Sequence, residues 1–378
     1  MGELGMTRCG PLGRARRGPR MAARRWVAGA ALGAVGLFLT GVLPALGQEK
    51  PLRIGVLALG PRKVPSVRCG AQGPQQTTGE PQVEAVPADA RGLRDELEKM
   101  GYVEDRPETK GKAGRRFVLT IGQGNLEAVK RYAQQFAQER VDIIFAMTTL
   151  PVRTAQEVTR TNPIPIIFTA VSDPVGDGFA ISLARPGGWI TGVSTQLIQG
   201  SGKRVEIFKE MMPRARRLLT ISKADFEVAQ RSLAEMRPAA AGLGIALLEK
   251  HASSRAEIEG ILSGVRREAL DGIIFPVDAV LVANADLVLE ASLKERVPAF
   301  GIVDFLAEWG ALAAYGPSPY QSGRRAAYYV DKIARGAKPG DLPVEPLDPT
   351  FVVNLKAAAC LGVSVPPAVL HQADRVIR

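Results

Sequence analysis

The stretch Val141-Asp-Ile-Ile-Phe-Ala146, then Thr148-Thr149, a helical run from Val152 to Thr159, and Pro165-Ile-Ile-Phe-Thr-Ala170 decides the fold. Two short apolar runs rich in β-branched residues flank one amphipathic segment. This is the cadence of strand, helix, strand, with both strands buried on two faces. The same cadence extends outward. Before it come a strand at Leu52–Leu59, a helix from Ala88 to Met100 stopped by Gly101, and a strand at Phe117–Ile121. Asn125 caps a further helix that reaches about Glu139. After it come Trp189-Ile-Thr-Gly-Val-Ser194 and a helix from Ser201 to Met212.

The alternation then restarts. Strands are predicted at Arg217–Ser222, Ile245–Leu248, Asp271–Pro276 and Pro298–Ile302, with helices over Phe226–Gly242, Ser254–Arg267 and Asn284–Glu295. Two complete arrays imply two α/β lobes, each a doubly wound parallel sheet with helices on both faces. The remaining elements are a helix over Tyr320–Arg335, an extended Phe351–Val353 and a short helix over Leu355–Cys360. They follow two finished arrays, so the chain is expected to cross back and decorate each lobe in turn. Residues 61–86 interrupt the cadence with seven Gly and Pro and few large apolar side chains, and read as a surface loop or insertion.

The first fifty residues have a different character. Arg14, Arg16, Arg17, Arg20, Arg24 and Arg25 precede an apolar stretch from Trp26 to Leu46, which ends Ala45-Leu46-Gly47. That is the layout of a secretory signal peptide cut before Gln48; a membrane anchor is the competing reading. Met21 is an alternative start, and Arg24-Arg25 faintly resembles a twin-arginine signal. The chain carries +11, but residues 1–47 hold seven arginines against one glutamate; +11 less +6 leaves +5 for the rest. That excess is dispersed, and no nucleic-acid-binding motif accompanies it. Beyond residue 47 the only cysteines are Cys69 and Cys360, too few and too distant for a disulfide framework, and a bridge between them is not expected. The two histidines, His251 and His371, have no second ligand nearby in sequence, so neither a metal site nor a Ser–His–Asp triad is expected.

Open parallel sheets bind ligands beyond the carboxyl ends of their strands. The residues there are Gly60, Gly122, Gly124, Thr148, Thr149, Ser172, Asp173, Ser222, Asp225, Asp278 and Asp304. Thr148 and Thr149 offer hydroxyls and helix N–H groups to a carboxylate, or simply cap their helix. Asp173 either takes a ligand ammonium or caps the turn Pro174-Val175-Gly176. Ser222 and Asp278 carry the same two readings. Tyr315, beside Gly316 at a lobe crossing, offers an aromatic cleft wall. The set has no nucleophile–base pair. Gly122-Gln-Gly124 fails the dinucleotide pattern after its second glycine, and neither a phosphate-binding loop nor a G-x-S-x-G elbow is present. Binding without catalysis, cofactor or metal is the expectation. An enzyme on the same scaffold and a ligand-sensing domain for a membrane receptor are the alternatives.

Several ordered motifs carry a resemblance: Gly101-Tyr-Val-Glu104, Ser172-Asp-Pro-Val175, Leu183-Ala-Arg-Pro-Gly-Gly188 with Ile190-Thr-Gly-Val193, Tyr315-Gly316, Gly336-Ala-Lys-Pro-Gly-Asp-Leu-Pro343 and Val353-Asn-Leu-Lys356. The chain resembles the periplasmic substrate-binding proteins of ABC transporters, in the subgroup that includes tryptophan- and tyrosine-type binders. The resemblance implies a type I bilobed fold with three crossovers. One lobe would be 48–194 with 317–350, the other 195–316 with 351–378. It implies a periplasmic monomer that closes on a small organic ligand, an amino acid or related carboxylate, about hinges near Ser194-Thr195, Ala313–Tyr315 and Thr350–Val352. An inner-membrane ABC permease would be its partner, with no nucleic acid involved. By position, Thr148, Thr149, Asp173, Ser222, Asp278 and Tyr315 match the family's cleft-facing loops. The chain departs from the pattern at 61–86, at Gly310-Ala311, and at Ser222-Lys-Ala-Asp225, where the family usually carries Asn-Pro. Lys223 adds a cation that favours an acidic ligand.

Overall fold

Seven strands run side by side in each of two sheets. The computed structural model describes residues 50–60, 65, 67–70, 73–76 and 86–378; the expected signal peptide and its cut lie outside them. The first array holds β1 (Leu52–Leu59), a hairpin of β2 (Val67–Gly70) and β3 (Gly73–Gln76), α1 (Ala88–Lys99), β4 (Tyr102–Glu104) and β5 (Arg115–Gly124). It continues through α2 (Leu126–Glu139), β6 (Ile143–Met147), α3 (Thr149–Val158), β7 (Ile166–Val171) and β8 (Ile190–Ser194). The second array holds α4 (Ser201–Met211), β9 (Arg217–Ser222), α5 (Glu227–Gly242), β10 (Ala246–His251), α6 (Arg255–Leu262), β11 (Gly272–Ile274), α7 (Ala279–Ala283) and α8 (Ala285–Glu295). It ends with β12 (Ala299–Gly301), α9 (Asp304–Glu308) and β13 (Ala313–Gly316). The tail is α10 (Pro319–Ala334), β14 (Glu345–Pro346), β15 (Thr350–Asn354), α11 (Leu355–Leu361), α12 (Pro367–Gln372) and β16 (Arg375–Ile377).

The first sheet has the order β14-β8-β7-β6-β1-β5-β4 and is parallel throughout. The second has the order β10-β9-β11-β12-β13-β15-β16, parallel except where β15 meets β13. Each sheet is covered on both faces, as its apolar strands require. Ile54, Val56, Phe117 and Phe145 pack with Leu93 of α1 and Tyr329 of α10. Leu57, Ile144 and Phe168 pack with Phe136 of α2 and Val152 of α3 on the opposite face. In the second sheet, Ile273 and Phe275 face Val288 and Leu289 of α8, while Ile274 and Phe300 face Phe208 of α4 and Leu361 of α11. The chain passes between the sheets three times: after β8, after β13 and after β14. At the first pass Thr195 N–H donates to Val171 O at 3.1 Å, and Leu347 N–H of the third pass donates to Ser194 O at 2.9 Å. At the second, a Cβ on Gly316 would fall 1.9 Å from Ile302 O, so only glycine fits the close approach.

The segment 61–86, read as a surface loop or insertion, contains the antiparallel β2–β3 pair. One expectation changes. Cys360 is disulfide-bonded, against the expectation from cysteine spacing. Topology supplies the reason: β2, the strand that carries Cys69, packs against α11, the helix that carries Cys360. Sequence separation does not reveal that approach.

Candidate functional site

Loops at the carboxyl ends of strands from both sheets line one cavity. From the first lobe come Met147 at the end of β6 with Thr148 and Thr149 after it, Ala170 and Ser172 at the end of β7, and Asp89 in the first turn of α1. From the second come Phe226 and Val228 at the start of α5, Val277 and Asp278 after β11, and Ile302, Val303 and Phe305 after β12. Thirteen of its eighteen lining residues are apolar, so a ligand's body meets hydrocarbon and its polar groups meet only a few side chains.

The polar corner is in the first lobe. Thr148 has φ +70°, a conformation few side chains adopt, and Ala170 at the β7 bulge has φ +56°. Strain of this kind costs about 1–3 kcal/mol per residue and gathers at ligand sites. Thr148 N–H donates to Thr169 O at 3.0 Å, which fixes the loop. Its Oγ1 is buried and has no protein partner, and α3 starts without a side-chain cap. The helix therefore offers its N-terminal N–H groups beside an unengaged hydroxyl. Thr149 Oγ1 donates to Asp177 Oδ2 at 3.2 Å. Asp89 is 2% exposed and places a carboxylate on the same side of the cavity.

The second lobe's Asp278 is 1% exposed. Its Oδ1 accepts from Val280 and Leu281 N–H at 2.8 and 2.9 Å, and its Oδ2 from Lys223 N–H at 2.7 Å. Burial pushes its pKa up, while these three N–H groups pull the other way.

Thr148, Thr149 and Asp278 thus meet in one cavity, and Asp173, Ser222 and Tyr315 are not among its lining residues. Asp173 Oδ1 accepts from Gly176 N–H at 2.8 Å, and its Oδ2 from Arg231 Nη2 at 2.6 Å. Ser222 Oγ lies 3.3 Å from His251 Nδ1. Tyr315 lies near Arg204 across Gly200, whose added Cβ would sit 3.6 Å from the Tyr315 ring and 3.3 Å from Arg204 Nη1. Arg204 is fully buried, with Nη2 bound to Leu197 O and Ser201 Oγ and no partner for Nε or Nη1; burial depresses its pKa to about 9. Lys223 Nζ is paired with Asp225 at 3.1 Å. Sequence reasoning missed Asp89, Phe226 and Phe305. Among the described residues no group of three or more His, Cys, Asp or Glu could hold a metal ion, and no helix is long and apolar enough to cross a membrane.

Comparison with known proteins places the chain. A curated relative, the tyrosine-binding protein of Clostridioides difficile (strain R20291), is 25% identical over 257 residues, 68% of this chain and 73% of the relative. Among solved structures, a conserved domain protein from Vibrio cholerae O1 biovar El Tor is 27% identical with a TM-score of 0.69, covering 86% of this chain and 100% of that one. An ABC domain from Streptococcus pneumoniae in complex with L-Trp has a TM-score of 0.67 at 21% identity, with the same coverage. The model of the family described as ABC transporter substrate binding protein matches residues 83–377. The two-lobed α/β architecture agrees with that match, and the chain belongs to the ABC transporter substrate-binding protein family.

Proposed function

We propose that this protein is exported, captures an aromatic amino acid between its lobes and delivers it to an ABC permease in the inner membrane. The observation that carries the reading is the two-sided cavity, with Phe226 and Phe305 on one wall and Thr148 and Asp89 on the other. The ligand carboxylate would meet Thr148 Oγ1 and the first N–H groups of α3. The ammonium would meet Asp89, the first-lobe acid among the cavity's lining residues. The ring would lie against Phe226 and Phe305. Asp278 would shape the second lobe's edge of the site. The relative named for tyrosine and the structure holding L-Trp support this class of ligand. Export is supported by the basic-then-apolar start of the chain and by the disulfide at Cys360, since such bonds persist in oxidising compartments.

Calorimetry with L-tyrosine and L-tryptophan, and with the same molecules lacking the ammonium, tests the reading. At least one amino acid should bind and raise the unfolding midpoint. The ammonium-free analogues should bind at least about tenfold more weakly. Asp89→Asn should weaken the amino acid by about ten- to a hundredfold while hardly affecting the analogue. Equal affinity for both ligands in the wild type would remove Asp89 from head-group recognition. Failure of both amino acids to bind would remove the aromatic amino-acid reading.

A further inference from the structure

Asp173 and Arg231 belong to different lobes. Asp173 follows β7 of the first sheet, and Arg231 lies on α5, which packs against the second. Arg231 Nη2 nevertheless donates to Asp173 Oδ2 at 2.6 Å. The pair stands at the rim of the cavity. Ser172, next to Asp173, lines the wall on one side, and Phe226 and Val228 at the start of α5 line it on the other. The carboxylate is also fixed from behind. Its Oδ1 accepts from Gly176 N–H, and a Cβ on Gly176 would come within 2.3 Å of Oδ2, so the turn wraps tightly around the acid. The Gly176 N–H, and then Arg231, hold its pKa below the usual carboxylate range, so it is charged near neutral pH. Arg231 also feels Asp177, which accepts from the cavity residue Thr149 and lies 4.0 Å from Arg153.

We infer that the Asp173–Arg231 pair is a latch that holds the two lobes together over the bound molecule and does not touch it. A ligand contacted from both lobes leaves only when they part, and parting them breaks this pair. The pair therefore acts on residence time, and it acts alike on every ligand that closes the lobes. Its ligand-bound test rests on the amino-acid reading above; its ligand-free test does not.

The experiment compares wild type with Asp173→Asn, Arg231→Met and the double variant. Asn keeps an acceptor for Gly176 N–H while removing the charge. Arg237→Met is the control: it removes a cation from the same helix, but its partner Glu249, at 2.8 Å, is on the same lobe. Stopped-flow release of L-tyrosine or L-tryptophan, and of the ammonium-free analogue, should accelerate about two- to fivefold in each single variant. The factor should be the same for both ligands, and the double variant should be no faster than the faster single. Arg237→Met should release at the wild-type rate. X-ray scattering of ligand-free protein should show a larger radius of gyration in Arg231→Met than in Arg237→Met. A loss above about tenfold in Asp173→Asn confined to the amino acid would make Asp173 an ammonium contact and overturn the latch. Independent, multiplying effects of the two substitutions would overturn it too. If no tested ligand binds, the amino-acid reading falls and scattering alone judges the latch; an unchanged radius of gyration then overturns it.

Discussion

Two strand-to-helix corners face the same cavity, one from each lobe, and they are built in opposite ways. After β6, Thr148 takes a strained positive φ, leaves Oγ1 without a protein partner and gives α3 no side-chain cap. After β11, Asp278 takes an ordinary extended conformation and gives both oxygens to three backbone N–H groups of its own lobe. The sequence sign is the same, a polar residue between an apolar strand and a helix. The first corner is strained and unsatisfied by the protein alone, the state expected of a group awaiting a ligand. The second is self-sufficient, the state expected of a structural cap.

The largest effect that can test this contrast is on stability. Asp278→Ala should cost about 2–4 kcal/mol, because a helix cap is lost and Lys223 N–H is left without its acceptor. Denaturant unfolding measures it, and ligand should still bind the folded fraction. Loss of binding at unchanged stability would make the two corners equivalent. Arg204 provides a control, since it too has unsatisfied polar atoms but is not among the cavity's lining residues. Arg204→Met should raise stability by about 1–2 kcal/mol, as apolar replacements of buried charge often do. A fall of that size would mean that its bonds to Leu197 and Ser201 outweigh the cost of burial. Thr148→Ala should leave stability within about 0.5 kcal/mol and weaken the ligand about two- to tenfold by calorimetry. If Thr148→Ala unfolds the protein as readily as Asp278→Ala does, Thr148 is a cap after all.

The smallest effect is in pH dependence. Asp278 has its pKa raised in the fold, so the native state holds its proton more tightly than the unfolded chain does. Its contribution is full below the unfolded value of about 3.9 and declines as pH rises through the folded value. Asp173, with a lowered pKa, acts in the opposite sense: its contribution is present above about 3.9 and lost as pH falls through its folded value. Unfolding titrations between about pH 3 and 7 should show Asp278→Asn flattening the first slope and Asp173→Asn the second. Identical pH profiles for the two variants would contradict both assignments.

The alternation of apolar strands and amphipathic helices was legible because period and length agree for long elements. Asn125 caps its helix as read, accepting from Ala128 N–H, and Asn354 caps α11 in the same way, accepting from Ala357 N–H. The short elements β4, α7, α9, α12 and β16, of three to six residues, left no such trace, each being held by neighbours in space more than by its own pattern. Strand-end position located Thr148, Thr149 and Asp278. The same rule points to Asp89, the helix start after β1, but residues 61–86 displace it from the strand that positions it. Asp173 was legible as a charged group at a strand end. Its partner, Arg231, is 58 residues away and on the other lobe, a distance no local pattern spans.

The β2–β3 hairpin lies before the span matched by the family model and packs against α8 and α11, while β1 before it and α1 after it belong to the first lobe. Neighbours along the chain thus report on different bodies. A fluorophore at Gln75, which is exposed, would travel with the second lobe, and one on exposed Glu139 at the end of α2 with the first. The pair would form a ratiometric sensor of the separation between the two lobes.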